Sequence, residues 1–180
     1  KMLEELLQEV KNSNCDYAKI QTYSQNSRVS SISKSAQYAD KTLGMEENLS
    51  ETFERVRLSK KDHEMAFDWA KKNNLPLIST AFDESSCDYL MQFDPDAFKI
   101  ASFDSVNLPL LKYVASKKKP IILSTGMCGL AEIEEALDAI ASQENPNVVI
   151  LHCVSMYPTA SKDVNLKAMI TIGKELNIKF

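Results

Sequence analysis

Apolar and polar residues follow two alternating periods along this chain. Within Lys1–Asn12, Leu3, Leu6, Leu7 and Val10 fall at i, i+3, i+4 and i+7, the spacing of one helical face. Short runs rich in apolar residues come next at Tyr17–Thr22, Pro76–Thr80, Ala97–Ala101, Pro120–Ser124 and Val148–Cys153, and Ile178–Phe180 begins another. Each has the length and composition of a strand. Helical stripes separate them: His63, Ala66, Phe67 and Ala70; Leu110, Leu111 and Val114; and Ile133, Ala136, Leu137 and Ile140 after Gly129. The first of these stripes follows Ser59-Lys60-Lys61-Asp62, a serine and an acid spaced to cap a helix start. From Leu75 to Ile178 the strand-to-strand interval is roughly 20–30 residues, the length of a βα unit in a parallel sheet.

Tyr23–Arg57 breaks this rhythm. It is polar, serine-rich and too long for an ordinary βα loop. Leu43–Val56 within it has a helical pattern, so the segment reads as a functional excursion over one end of the sheet.

Two parallel architectures fit the alternation. A doubly wound nucleotide-binding fold would want a glycine-rich turn after its first strand, yet the chain has only four glycines and no GxGxxG or GxxxxGK[ST]. Polar residues recur instead at the C-terminal ends of the strands, as in a (β/α)8 TIM barrel. About six of the eight strands that such a barrel needs are visible. The pattern opens in a helix and stops in a strand. The expectation is therefore an incomplete TIM barrel, with residues 1–180 forming a partial catalytic domain.

Composition narrows the classes. A chain of 180 residues, 44% hydrophobic, can bury one sizeable core. A net charge of -4 with mixed signs gives no general attraction to nucleic acid or to an anionic membrane. No run of 18 or more apolar residues and no signal-peptide pattern is present, which predicts a soluble, cytoplasmic protein. Cys15, Cys87, Cys128 and Cys153 are scattered without a CxxC pair, so reduced thiols are expected rather than disulfides or zinc.

The candidate chemistry rests on two lysines inside strand runs. In Tyr17-Ala18-Lys19-Ile20-Gln21, Ala18 and Ile20 share one face and Lys19 and Gln21 the other. In Ala97-Phe98-Lys99-Ile100-Ala101, Phe98 and Ile100 can pack on helices while Lys99 faces the barrel interior. An ammonium within a core is costly unless an anion meets it. Nearby strand runs end in hydroxyls: Ser79-Thr80, Ser102, and Ser124-Thr125 followed by Gly126. Hydroxyls and backbone N–H groups beside lysine make a phosphate cradle, and glycine permits close backbone approach. Ser155 and Tyr157 alternate to face one site, whereas His152 has the opposite parity and reads as a packed histidine. His63 has no partner at metal spacing, so no metal site is expected within this chain.

In chain order, KIQTY, LPLISTAFD, FKIASFDSVNLPLL, KPIILSTGM and LHCVSMYPT…DVNL resemble the motifs of the sialic acid synthase family, as does Gln37–Glu46 in the long polar stretch. These enzymes condense phosphoenolpyruvate to make N-acetylneuraminic, legionaminic and pseudaminic acids. The resemblance implies a (β/α)8 barrel joining phosphoenolpyruvate to an N-acetylmannosamine-like sugar with release of phosphate. It assigns Lys19, Thr80, Lys99, Ser102 and Ser124 to phosphoenolpyruvate, and Gln21 and Tyr157 to the sugar or intermediate. Ser155 falls where some members carry asparagine. The resemblance further implies a divalent metal (manganese or magnesium) with ligands outside this chain, a C-terminal antifreeze-like domain absent from it, and a homodimer in the full-length protein. Without those parts the fragment alone is expected to be inactive.

Two rival readings use the same residues. Lys99 at a strand end could form the Schiff base of a class I aldolase. Alternatively, the chain could be an inactive phosphate-binding fragment that keeps the cradle without turnover.

Overall fold

A computed structural model of the protein describes residues 2–24 and 49–178. Leu43–Asn48 of the predicted helix, the motif stretch Gln37–Glu46 and the last two residues of Ile178–Phe180 lie outside the described residues. The elements in order are α1 (Met2–Asn12), β1 (Ala18–Thr22), α2 (Leu49–Val56), α3 (Lys60–Lys72), β2 (Leu77–Ala81), α4 (Glu84–Met91), β3 (Phe98–Ile100), α5 (Leu108–Ser116), β4 (Ile121–Ser124), α6 (Leu130–Ala141), β5 (Val148–Leu151) and α7 (Ala168–Glu175). Single 3-10 turns cover Ser102–Asp104 and Ser161–Asp163. Strand order in the sheet follows chain order, β1-β2-β3-β4-β5, and the pairings from β2 to β5 are all parallel. This is the βα succession expected from the pattern.

The residues form two compact units, Lys1–Leu77 with Ala81–Asp94, and Ile78–Thr80 with Pro95–Phe180. In the first, α1 packs on α3 and on β1. Leu7, Ala18, Ile20, Ala66, Ala70, Leu75 and Leu77 form its core, with Leu3, Val10 and Phe67 against them. Leu6, expected on the same face, is 57% exposed, because a helix covered on one side buries only the centre of its stripe. The predicted capping signal is real: Ser59 Oγ accepts from the Asp62 N–H at 3.1 Å, and the Asp62 carboxylate accepts from the Ser59 N–H. Helix α4 carries too weak a stripe to predict. It is set by Asp83, whose carboxylate accepts from the N–H of Ser86 at 2.7 Å and of Ser24 at 2.9 Å.

In the second unit, α5 packs against α6, and Phe98, Ile100, Leu111, Val114, Ile121, Leu123 and Ile140 are completely buried. The expected starts at Pro76 and Pro120 lie one residue before β2 and β4. Proline has no N–H to donate, but each carbonyl still accepts, from Ala18 N–H and Phe98 N–H respectively, both at 2.9 Å. Strand β5 stops at Leu151, short of the expected Cys153. The Leu151 carbonyl is taken by both the N–H and the hydroxyl of Thr125, at 3.0 Å each, and the chain then leaves the ladder. Ile178, expected to open a further strand, is irregular where described.

Helix endings use few glycines. Asn14, Asn74, Asp94, Lys118, Glu144 and Asn177 each follow a helix with φ between 50° and 60°, the left-handed conformation that reverses the chain. The N–H of Leu75 then donates to Ala70 O at 3.0 Å, and that of Ile178 to Gly173 O at 2.9 Å, which closes the last turn.

Candidate anion-binding site

Strand β3 places Lys99 between two fully buried side chains, Phe98 and Ile100, which point to the helix layer. Alternation therefore puts Lys99 on the other face, where it is half-buried. Its Nζ donates to Ser124 Oγ and to the Ile100 carbonyl, both at 2.5 Å. Parallel register sets buried Thr80 beside Lys99 on the same face.

Two turns complete the arrangement. Ser102 opens the 3-10 turn after β3, and its Oγ accepts from the Gly126 N–H at 3.1 Å. A Cβ at Gly126 would lie 2.7 Å from Ser155 Oγ, 2.9 Å from Ser102 Oγ and 3.3 Å from Cys153 O. The glycine is thus required by space, and three strand-end segments meet around it. The Lys99–Ser124 pair, and Ser102 and Ser155 around Gly126, thus place one ammonium and three hydroxyls at three neighbouring strand ends. Such a group can bind a phosphate through charge-assisted hydrogen bonds.

Tyr157 is placed differently. It is 88% exposed, on an irregular segment beyond β5 where strand alternation no longer governs direction. Ser155 lies on the same segment and is exposed, yet its Oγ reaches Gly126. His152 donates through Nε2 to the Val164 carbonyl, 2.9 Å away, as expected for a packed histidine.

On β1, Lys19 and Gln21 alternate with buried Ala18, Ile20 and Thr22, as the pattern predicts. Lys19 is exposed rather than core-buried, since its face of the strand carries no helix layer. Enough protein still surrounds its amine for burial to lower its pKa. The first unit also has a cavity of about 390 Å³ lined by Thr22, Arg57, His63, Ser86 and Tyr89 among others. No expected site residue lines it. His63 is held there by Thr22 Oγ1 at 2.8 Å and Ser59 O at 2.9 Å.

Among the described residues, no three His, Cys, Asp or Glu side chains are grouped to hold a metal ion. The family resemblance places the ligands of its divalent metal elsewhere than among these residues. Likewise, no described helix is long and apolar enough to cross a membrane. Sequence reading misses Ser105, which is fully buried and donates through Oγ to the Ser124 carbonyl. Its only signal is a serine three residues after Ser102, which by itself reads as turn chemistry.

Comparison with known proteins identifies the family. The NeuB family model matches residues 6–180. The N,N'-diacetyllegionaminic acid synthase of Legionella pneumophila is 34% identical over 98% of this chain and 51% of its own length. The pseudaminic acid synthase of Helicobacter pylori is 31% identical over 99% of this chain and 53% of its own. Among solved structures, the N-acetylneuraminic acid (sialic acid) synthetase of Leptospira borgpetersenii, in complex with citrate, superposes with a TM-score of 0.84 at 25% identity. The match covers 98% of this chain and 56% of the synthetase. The chain thus spans about half the length of the curated relatives it matches. With five ordered motifs, a parallel βα succession and a family match from residue 6 onward, the chain belongs to the NeuB family.

Proposed function

We propose that this chain supplies the phosphoenolpyruvate-binding part of a nonulosonic acid synthase, which joins phosphoenolpyruvate to an N-acylated amino sugar. The observation that carries the reading is the cluster of Lys99 Nζ, Ser124 Oγ, Ser102 Oγ and the Gly126 amide at adjacent strand ends. The names of the relatives support the product class. In the reaction, the enol carbon of phosphoenolpyruvate forms a C–C bond to the sugar aldehyde carbon. Water then adds to the cationic carbon that bears the phosphate ester, the proton it releases goes to the alkoxide formed from the aldehyde, and loss of phosphate from that carbon leaves a ketone.

The residues here would act electrostatically. Lys99 offsets the phosphate charge, and the hydroxyls of Ser102, Ser124 and Thr80 orient its oxygens. Family resemblance adds Lys19 as a phosphoenolpyruvate ligand, Gln21 and Tyr157 toward the sugar or intermediate, and a homodimer; Ser155 is read as facing the same site, and the protein as cytoplasmic. The polar neighbours of Lys99 weigh against an aldolase Schiff base, which wants an apolar pocket.

The test uses the full-length natural polypeptide that carries this sequence. Release of inorganic phosphate should require both phosphoenolpyruvate and an N-acylated hexosamine with a free aldehyde, and Lys99→Met should abolish it. Borohydride trapping of a keto substrate on Lys99 would overturn the reading in favour of an aldolase. Phosphoenolpyruvate binding without any phosphate release would instead favour an inactive phosphate-binding protein.

A further inference from the structure

The loops after β3 and β4 are tied together twice, in opposite directions. The Gly126 amide of the β4 loop donates to Ser102 Oγ of the β3 turn. In return, the Ser105 hydroxyl of the β3 turn donates to the carbonyl of Ser124 at the end of β4. Ser105 is only 1% exposed, so the bond forms in a dry environment where neither group has water as an alternative. Its own position is fixed by the turn, because the Ser105 N–H donates to Ser102 O at 3.2 Å.

Ser124 is where this tie matters. Its side-chain oxygen receives the Lys99 ammonium, while its backbone oxygen is held by Ser105. One residue is thus gripped at both ends, by β3 through the side chain and by the β3 turn through the main chain. We propose that Ser105 is a positioning residue for the anion site: its hydroxyl fixes the Ser124 backbone so that the Ser124 side chain and Lys99 share one ligand. Ser105 is buried behind Ser124 and touches no substrate in this assignment. The inference rests on the phosphoenolpyruvate reading above and gives it a specific supporting group.

A double-mutant cycle read by calorimetric titration of phosphoenolpyruvate tests it, in the full-length natural polypeptide. Ser105→Ala should weaken binding about threefold to fivefold, no more than the loss of the Ser124 hydroxyl that it positions. Because Ser105 acts through Ser124, adding Ser105→Ala to Ser124→Ala should cause less than about a twofold further loss. Ser105→Cys, which keeps the volume and a weaker donor, should fall between wild type and Ser105→Ala. If Ser105→Ala does not fold, the same cycle is read with Ser105→Cys. A Ser105 variant that binds like wild type overturns the inference, as do losses that multiply in the double variant. Failure of the wild-type protein to bind phosphoenolpyruvate would remove the underlying reading as well, and is distinguished by needing no variant.

Discussion

The Lys99 ammonium lies 2.5 Å from the Ser124 hydroxyl, joining adjacent strands at their C-terminal ends. Twenty-five positions separate the two residues in the chain, and the parallel pairing of β3 with β4 brings them together. Ser124 is buried, and Lys99 is open enough for a ligand to reach.

The two residues should therefore differ in weight. Lys99→Met removes a charge and is expected to weaken phosphoenolpyruvate binding by about tenfold to 150-fold, the worth of a charge-assisted hydrogen bond of about 1.5–3 kcal/mol. Ser124→Ala removes a neutral hydroxyl and should cost about fivefold, near 1 kcal/mol. Isothermal titration of both variants checks the order. Equal losses would show that the lysine's charge does not govern affinity.

Gly126→Ala separates space from charge. The added methyl would stand 2.9 Å from Ser102 Oγ and 2.7 Å from Ser155 Oγ. Exposed Ser155 can turn away, whereas Ser102 is held by the amide of the same glycine. The expected outcome is about a tenfold weaker affinity with a stability loss near 1 kcal/mol. Thermal melts alongside binding measurements would check it, and unchanged affinity would argue that the ligand does not use this loop.

Asp83 should give the first unit a pH dependence. Burial alone would raise its pKa, but hydrogen bonds from Ser24, Ser85 and Ser86 outweigh this and hold the carboxyl well below the usual carboxylate range. A carboxylate depressed in the folded state adds stability above its unfolded pKa of about 4, and loses it as pH falls toward the folded value. Asp83→Ala should cost about 1–2 kcal/mol near neutral pH, where the helix cap is lost. Urea unfolding at a series of pH values should show the gap from wild type narrowing below about pH 4.

The helix endings offer stabilisation. Glu144 has φ 54°, and a left-handed conformation disfavours any residue with a Cβ. Its contact with Lys118 is a 3.7 Å ion pair between exposed side chains, worth about 0–0.5 kcal/mol. Glu144→Gly should raise stability by about 0.5–1 kcal/mol, since the relief of strain exceeds that lost contact. Chemical denaturation measures this, and a destabilised variant would mean that the ion pair counts for more than its exposure suggests.

Much of the framework is legible in the residues themselves. Phe98 and Ile100 announce a strand with one face on helices, which leaves only one direction for Lys99. Ser59 and Asp62 announce a helix start through local chemistry. The features that stay hidden depend on contacts distant in sequence. The apolar run through Cys153 looks like continuous strand, but Thr125 takes the Leu151 carbonyl twice and the chain departs there. Helix α4, with two serines and an aspartate in eight residues, shows little periodicity and owes its start to Asp83. Ser105 looks like one more turn residue because its partner, the Ser124 carbonyl, lies in a different strand.

The pairing of Thr80 with Lys99 carries one more consequence. Side chains in a strand change face with each residue, so a slip of β3 by one position would exchange the two faces. Lys99 would enter the helix layer, and Phe98 or Ile100 would take its place among the hydroxyls. An error of about 3.3 Å in assembly would therefore erase anion binding altogether instead of merely weakening it. Ligand binding in this chain thus doubles as a proofreading signal for strand register.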